Sequence, residues 1–281
     1  MMKEEMKEAR ERSIAQDRAL ADNMRRIKHK LIVISGKGGV GKSTVVVNLA
    51  YDLASRGYQV GLLDIDIHGP SIAKMVGIEG KKLSGSPEGG VDPIEVNGIK
   101  IVTMGVLIDN PDTPVIWRGP LKYNAIRQFL SDINWRELDF LVIDSPPGTG
   151  DEPLTILQLI PEASGTIVVT TPQEVALLDS RKAVRFSQTL KVPVLGIIEN
   201  MSGLTCPHCG KDIPLFKTGG GEKAASELKV PFLGRIPIEP EMVDSSDQGK
   251  PFIASGKEGK AVDKLRKITD NVLKNVKEAK I

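Results

Sequence analysis

The sequence predicts an α/β fold, a mostly parallel twisted sheet with helices on both faces, and three observations carry the prediction. Five short runs rich in branched apolar residues, "LIVIS", "VGLLDID", "DFLVIDS", "GTIVVTT" and "VPVLGIIEN", are continuous rather than alternating, as strands covered on both faces should be. Helical patterns separate most of them. A glycine-rich stretch, "SGKGGVGKST", joins the first run to the first long helical pattern. With 281 residues, the chain suits one large domain over residues 31–281, preceded by a helical extension over residues 1–30.

Taken in order, the extension comes first. Residues 3–30 are charged and free of Gly and Pro, and Leu20, Met24 and Ile27 recur at helical spacing, so a surface helix is expected. A solvated face explains "RRIKHK" better than a basic arm does. "KSTVVVNLAYDLASRG" reads as a helix ending at Gly57, and "GKKLSGSPEGG" as a mobile polar loop. In "PIEVNGIKIV", Asn97-Gly98 lies between two alternating segments and signals a tight hairpin. Helices are expected at "GPLKYNAIRQFLSDI", at "EPLTILQLI" after Asp151, and at "QEVALLDSRKAV" after Pro172. A last helix over residues 261–279 carries Val262, Leu265, Ile268, Val272 and Val276 as one stripe, which suits docking on the sheet.

The totals exclude some functions. A formal charge of +2, from 38 basic and 36 acidic residues, makes no global field for a nucleic acid backbone, so no nucleic-acid partner is expected. No stretch approaches the roughly 20 apolar residues that cross a bilayer, and "MMKEEMKEARERS" lacks the apolar core of a secretory signal. The expectation is a cytoplasmic protein without a membrane partner. Two cysteines, Cys206 and Cys209, cannot build a disulfide framework, and their spacing is typical of metal ligands or redox pairs.

Gly36, four intervening residues, then Gly41, Lys42 and Ser43 match the Walker A pattern, between a predicted strand and a predicted helix. Glycines let the backbone fold tightly around phosphate oxygens, and amide N–H groups at the helix start supply hydrogen bonds and a favourable dipole. The expected cradle runs from Gly36 through Gly38, Gly39, Val40 and Gly41 to Lys42, Ser43 and Thr44. Lys42 should reach the β and γ phosphates, and Ser43 should bind Mg2+ together with Asp144, which ends "FLVID" as a Walker B carboxylate. Asp64 and Asp66 end "VGLLDID", and strand alternation sends side chains two residues apart to one side, so both could face the phosphates.

"GKGGVGKST" also has an early lysine, Lys37, and in this it resembles the P-loop NTPase family that includes MinD, ParA and the nitrogenase iron protein. That resemblance implies that Lys37 reaches across a dimer interface to the partner's nucleotide. Added positive charge near a migrating phosphoryl group assists its transfer, as arginine fingers show. "LLDIDIHGPS", "WRGP", "VIDSPPGTGDEP", "IENMSGLTCPHCG" and "LGRIPIEP" look like the Mrp/ApbC branch, whose members carry iron-sulfur clusters. By that resemblance, Asp66 positions the attacking water and Asp64 lies near the magnesium shell. The loop from Gly148 to Asp151 senses the γ phosphate, Asn200 contacts adenine, and Pro237 and Glu239 lie near the base. His68 stands where relatives often carry tyrosine. An extra N-terminal domain and an N-terminal cysteine cluster, each found in some relatives, are not in this sequence, which implies a minimal version with one cluster site.

"CPHCG" follows a strand and a short loop rather than opening a helix, so metal ligation fits better than a redox pair. A cluster or a zinc ion takes about four ligands, and a twofold dimer would supply four thiolates from two such pairs. A bridging 4Fe-4S cluster is the favoured occupant of a loop over residues 201–212. Zinc, or no metal, stays open, and His208 reads as a solvent-exposed loop residue. The expected function is an ATP-binding, slowly ATP-hydrolysing, Mg2+-dependent homodimer that carries the cluster to apoproteins. The alternative is a positioning ATPase switch of the MinD/ParA kind without a metal.

Overall fold

The computed structural model describes residues 2–66, 69–87, 89–107, 119–160, 162–206, 208–209, 211–256 and 258–279, so His68, Trp117 and Arg118 lie outside the described residues. In chain order the elements are α1 (Met2–Arg25), β1 (Ile27–Ser35), α2 (Lys42–Ser55), β2 (Val60–Asp64), α3 (Ile72–Met75), β3 (Ser84–Gly85) and β4 (Val91–Asp92). They continue with β5 (Ile94–Val96), β6 (Ile99–Thr103), α4 (Gly119–Ser131), β7 (Leu138–Asp144), α5 (Asp151–Leu159), β8 (Gly165–Thr170), α6 (Glu174–Thr189) and β9 (Val194–Glu199). Last come β10 (Leu204–Thr205), β11 (Asp212–Ile213), α7 (Gly220–Leu228), β12 (Phe232–Arg235), α8 (Pro240–Asp247) and α9 (Lys260–Glu278).

Eight strands form one sheet in the order β12-β9-β8-β1-β7-β2-β6-β5, parallel throughout except for the β5–β6 pair. The continuous apolar runs follow from burial on both faces. Leu31 and Val33 of β1 join a core with α2 and α9, while Ile32 and Ile34 join a second core with α1, α4 and α6. The stripe on α9 is buried along its length, from Val262 to Val276. Among the described residues no helix is long and apolar enough to cross a membrane. Asn97 (φ 51°) and Gly98 (φ 77°) make the expected tight turn, pairing Val96 with Ile99.

Two expectations change. The first helix stops at Arg25 rather than near residue 30, because Ile27 already pairs with Leu138 and residues 27–30 are the first part of β1. The polar stretch before the hairpin is not a bare loop. Ser84–Gly85 within it pairs with Val91–Asp92 just after it, as β3 with β4, and Val91 is fixed by Asp132 O at 2.9 Å and by the Asn134 amide at 2.8 Å.

The N-terminal helix is docked rather than merely solvated. Leu20 and Met24 are buried against α4, and Asn23 Nδ2 donates to the carbonyls of Leu130 (3.1 Å), Ser131 (2.8 Å) and Ile133 (3.0 Å) at the end of that helix. One side chain thus fills acceptors that a helix C-terminus leaves open. Asn23→Ala is expected to destabilise the protein by about 1–3 kcal/mol, read as a lower urea midpoint at unchanged slope. A midpoint equal to that of the parent chain would contradict this docking.

Candidate functional site

Ser35 ends β1 fully buried, and the chain must then turn sharply to let α2 pack back on the sheet. Gly41 makes the turn possible. It has φ 78°, and a Cβ there would sit 2.2 Å from Asn200 Nδ2. Gly36 is equally constrained, since its Cβ would lie 2.2 Å from the Asp179 carbonyl carbon. A cavity of about 300 Å³ opens over this loop and takes in every residue from Lys37 to Thr44 together with Asp66, Ser71 and Pro147. The expected cradle residues are therefore brought together, with Gly36 packed just behind them.

Lys42 is buried and forms an ion pair with Asp144 Oδ1, and its Nζ lies 3.8 Å from Asp66 Oδ2. Ser43 lies beside Asp144 and helps hold its carboxyl down. Asp144 Oδ2 is buried without a hydrogen-bond partner among the described residues. Burial holds the Asp144 carboxyl above its ordinary range, while Lys42 pulls it back. An unfilled carboxylate oxygen beside a serine hydroxyl is the donor chemistry that a hard divalent cation takes. The residues present therefore fit a magnesium ion.

Asp64 pairs in register with Asp144 but lies apart from the cavity. It is fully buried, accepting the Thr103 hydroxyl at 2.8 Å and the Asp66 amide at 3.0 Å. Because β2 stops at Asp64, alternation does not carry Asp64 and Asp66 to the same surface, and Asp66 alone reaches the cavity. Burial, reinforced by the Asp144 charge, pushes Asp64 up to about 8.

The two lysines of the loop have different surroundings. Lys37 lines the cavity half-buried and has no ion-pair partner among the described residues, whereas Lys42 is held by carboxylates. Gly148 (φ 97°) donates its amide to Ser35 O at 2.8 Å, tying the loop after β7 to the end of β1. Asn200 Nδ2 donates to Val40 O at 2.9 Å and so supports the loop from behind, outside the cavity lining. Pro237 and Glu239 also lie outside that lining. Their segment runs beside Asn200, with Ser202 N donating to Ile236 O (2.9 Å) and Ile238 N to Gly203 O (2.8 Å).

The cysteines sit at the tip of the β10–β11 ribbon, where Cys206 N donates to Lys211 O at 2.8 Å. Cys206 is half-buried, and Cys209 and His208 are exposed. Backbone N–H groups of Cys209 and His208 point at the Cys206 sulfur and lower its pKa, with help from the Cys209 side chain. A thiolate so favoured is the form that binds metal. Among the described residues, no group of three or more His, Cys, Asp or Glu is placed to hold an ion, so the ribbon offers half a ligand set. Two residues escaped the sequence reading. Thr103 gave no signal, whereas Glu199 was visible as a lone charge ending an apolar strand.

Asp64 generates a pH prediction. Its carboxyl keeps a proton to about 8 in the folded chain and loses it near 3.8 when unfolded, so the folded state binds more protons between those values. Its contribution to stability is full below the lower value and is lost as pH rises toward 8. In metal-free protein, Asp64→Asn should therefore gain in melting temperature relative to the parent chain as pH goes from 5 to 8. A difference that stays flat across this range would contradict the assignment.

The family profile described as NUBPL iron-transfer P-loop NTPase matches residues 26–273. An iron-sulfur cluster carrier protein from Methanocaldococcus jannaschii is 51% identical over 94% of this chain and 91% of its own length. A cytosolic Fe-S cluster assembly factor NUBP2 homolog from Dictyostelium discoideum is 44% identical over 88% and 95%. Among solved structures, a nucleotide-binding protein from Archaeoglobus fulgidus in complex with ADP superposes with a TM-score of 0.74 at 39% identity, over 84% of this chain and 92% of that one. MinD from Aquifex aeolicus, at 20% identity and a TM-score of 0.60 over 88% and 97%, shares the fold. A phosphate loop with an early lysine, on a mostly parallel sheet with a cysteine ribbon beyond its edge, thus identifies the chain as a member of the iron-transfer P-loop NTPase family.

Proposed function

We propose that the chain is an ATP-binding, slowly ATP-hydrolysing cytoplasmic homodimer that holds a 4Fe-4S cluster as cargo between the cysteine pairs of two subunits and passes it to apoproteins. The observation that carries this reading is the ribbon itself, which presents two thiols, one of them favoured as thiolate, and no third ligand among the described residues. A second copy related by a twofold axis supplies the missing two. The names of the relatives, iron-sulfur cluster carrier protein above all, support the cargo.

In this reading Lys42 and the loop amides from Gly38 to Thr44 bind the phosphates, and Ser43 and Asp144 hold magnesium, which supplies positive charge to the triphosphate. Asp66, beside Lys42 and open to the cavity, positions the attacking water, and Asp64 backs it by accepting its amide. Lys37, without an ion-pair partner among the described residues, acts on the partner's nucleotide. Gly148, fastened to Ser35, follows the γ phosphate, and Asn200, Pro237 and Glu239 form the side toward the base. One domain carries the ATPase, and residues 201–212 are its metal-binding loop. A positioning switch that anchors through a C-terminal helix finds no support, because the α9 stripe is buried in the core.

Anaerobic reconstitution followed by iron and sulfide counting tests the proposal. About four irons per two chains are expected, with loss in Cys206→Ala and in Cys209→Ala and no transfer to an apoprotein from either. Unchanged iron content in those variants, or zinc in place of iron, would contradict it. Lys37→Ala should lower ATP turnover by about 10²–10³-fold while nucleotide still binds, whereas Lys42→Ala should lose the binding. Equal turnover with and without Lys37 would remove its role across the interface.

A further inference from the structure

The two residues that end β9 and begin the following loop hold different parts of the molecule. Asn200 Nδ2 supports the phosphate loop at Val40 O, and its backbone amide is fixed to Thr170 O at 2.8 Å. Glu199, its neighbour, is fully buried at the end of an otherwise apolar strand. Its Oε1 accepts the Ser202 hydroxyl and the Gly219 amide (2.8 Å), and its Oε2 accepts the Gly221 amide. Arg235 Nε lies 3.4 Å from Oε1, and Ile236 N donates to the Glu199 carbonyl at 2.9 Å.

Ser202 and Gly219 bracket the segment that carries Cys206 and Cys209, so one carboxylate holds both roots of the cysteine ribbon. Gly221, in the first turn of α7, fits closely over it, since a Cβ there would lie 3.0 Å from Glu199 Cβ. A buried carboxylate is unfavourable unless hydrogen bonds fill its acceptor positions, and here amides at a helix N-terminus do so. An apolar residue would have packed this strand end without any such requirement. What the carboxylate adds is a fixed relation between the ribbon roots and the residue that supports the phosphate loop.

We propose that Glu199 is a positioning residue through which nucleotide occupancy acts on the cysteine pair. Consecutive residues hold the phosphate loop and the ribbon, so a shift of Val40 on nucleotide binding is delivered through Asn200 and Glu199 to both roots of the ribbon. Coupling of this kind requires a contiguous physical connection, and these hydrogen bonds supply one. The proposal rests on the reading of Cys206 and Cys209 as the metal site.

The test uses full-length protein with Co2+ as probe, following the thiolate-to-cobalt absorption band during titrations with ADP and with a non-hydrolysable ATP analogue. In the parent chain the two nucleotides should give cobalt affinities that differ by about tenfold. In Glu199→Gln, where an amide group faces N–H donors, the ratio should fall to near one while nucleotide affinity stays within about threefold. A merely structural role would weaken cobalt equally with both nucleotides and leave the ratio intact, which would overturn the proposal. Ser202→Ala removes one bond to the same carboxylate and should give an intermediate ratio. Should Glu199→Gln not fold, an unaltered ratio in Ser202→Ala overturns the proposal by itself. A parent ratio of one with the cobalt band present sinks the coupling and leaves the metal site standing. Absence of the band from the parent chain sinks the metal site itself, and the coupling with it.

Discussion

The buried ion pair between Lys42 and Asp144 is the interaction on which the site depends. Asp144 ends β7 and Lys42 opens α2, so the pair joins the sheet's edge to the first turn of the helix behind the phosphate loop. It also leaves charge unbalanced. Asp64, Asp66 and Asp144 gather near one committed lysine, and burial opposes ionising Asp64 and Asp144. Lys37 is the second cation among the described residues of the cavity lining, and it has no carboxylate partner there.

The parallel sheet brings the phosphate loop and the cysteine ribbon to one edge. All strands of a parallel sheet end at the same edge, and the loops beyond that edge are where ligands bind in open α/β folds. Here β1 ends in the phosphate loop, β7 in Asp144 and β2 in the Asp64 turn. Two strands from β1, beyond β8, β9 ends in Glu199 and leads through Asn200 into the cysteine ribbon. The phosphate loop and the cysteine ribbon thus leave the same edge of the sheet and are linked through residues 199 and 200.

Much of this was legible in sequence where the information is local. The phosphate loop, the Asn97-Gly98 turn and the α9 stripe depend on spacing within a few residues. Contacts between distant residues were not legible. Asn200 supports Val40 across 160 residues, and Asp64 is closed off by Thr103 on another strand. The start of β1 was hidden because Lys28, His29 and Lys30 break its apolar run. The burial of Lys30 under α1, with Nζ donating to Met24 O at 3.2 Å, cannot be inferred from its charge. The β3–β4 ribbon was missed because Asp132 and Asn134, which fix it, lie some forty residues beyond.

The central claim is that one chain holds half of each site, a lysine without its phosphate and two thiols without their counterparts. The most direct measurement is the mass in solution, by analytical ultracentrifugation under anaerobic conditions, of protein loaded with iron, sulfide and a non-hydrolysable ATP analogue. A species of two chains containing one cluster is the predicted result. A single chain that retains the full complement of iron and nucleotide would contradict it.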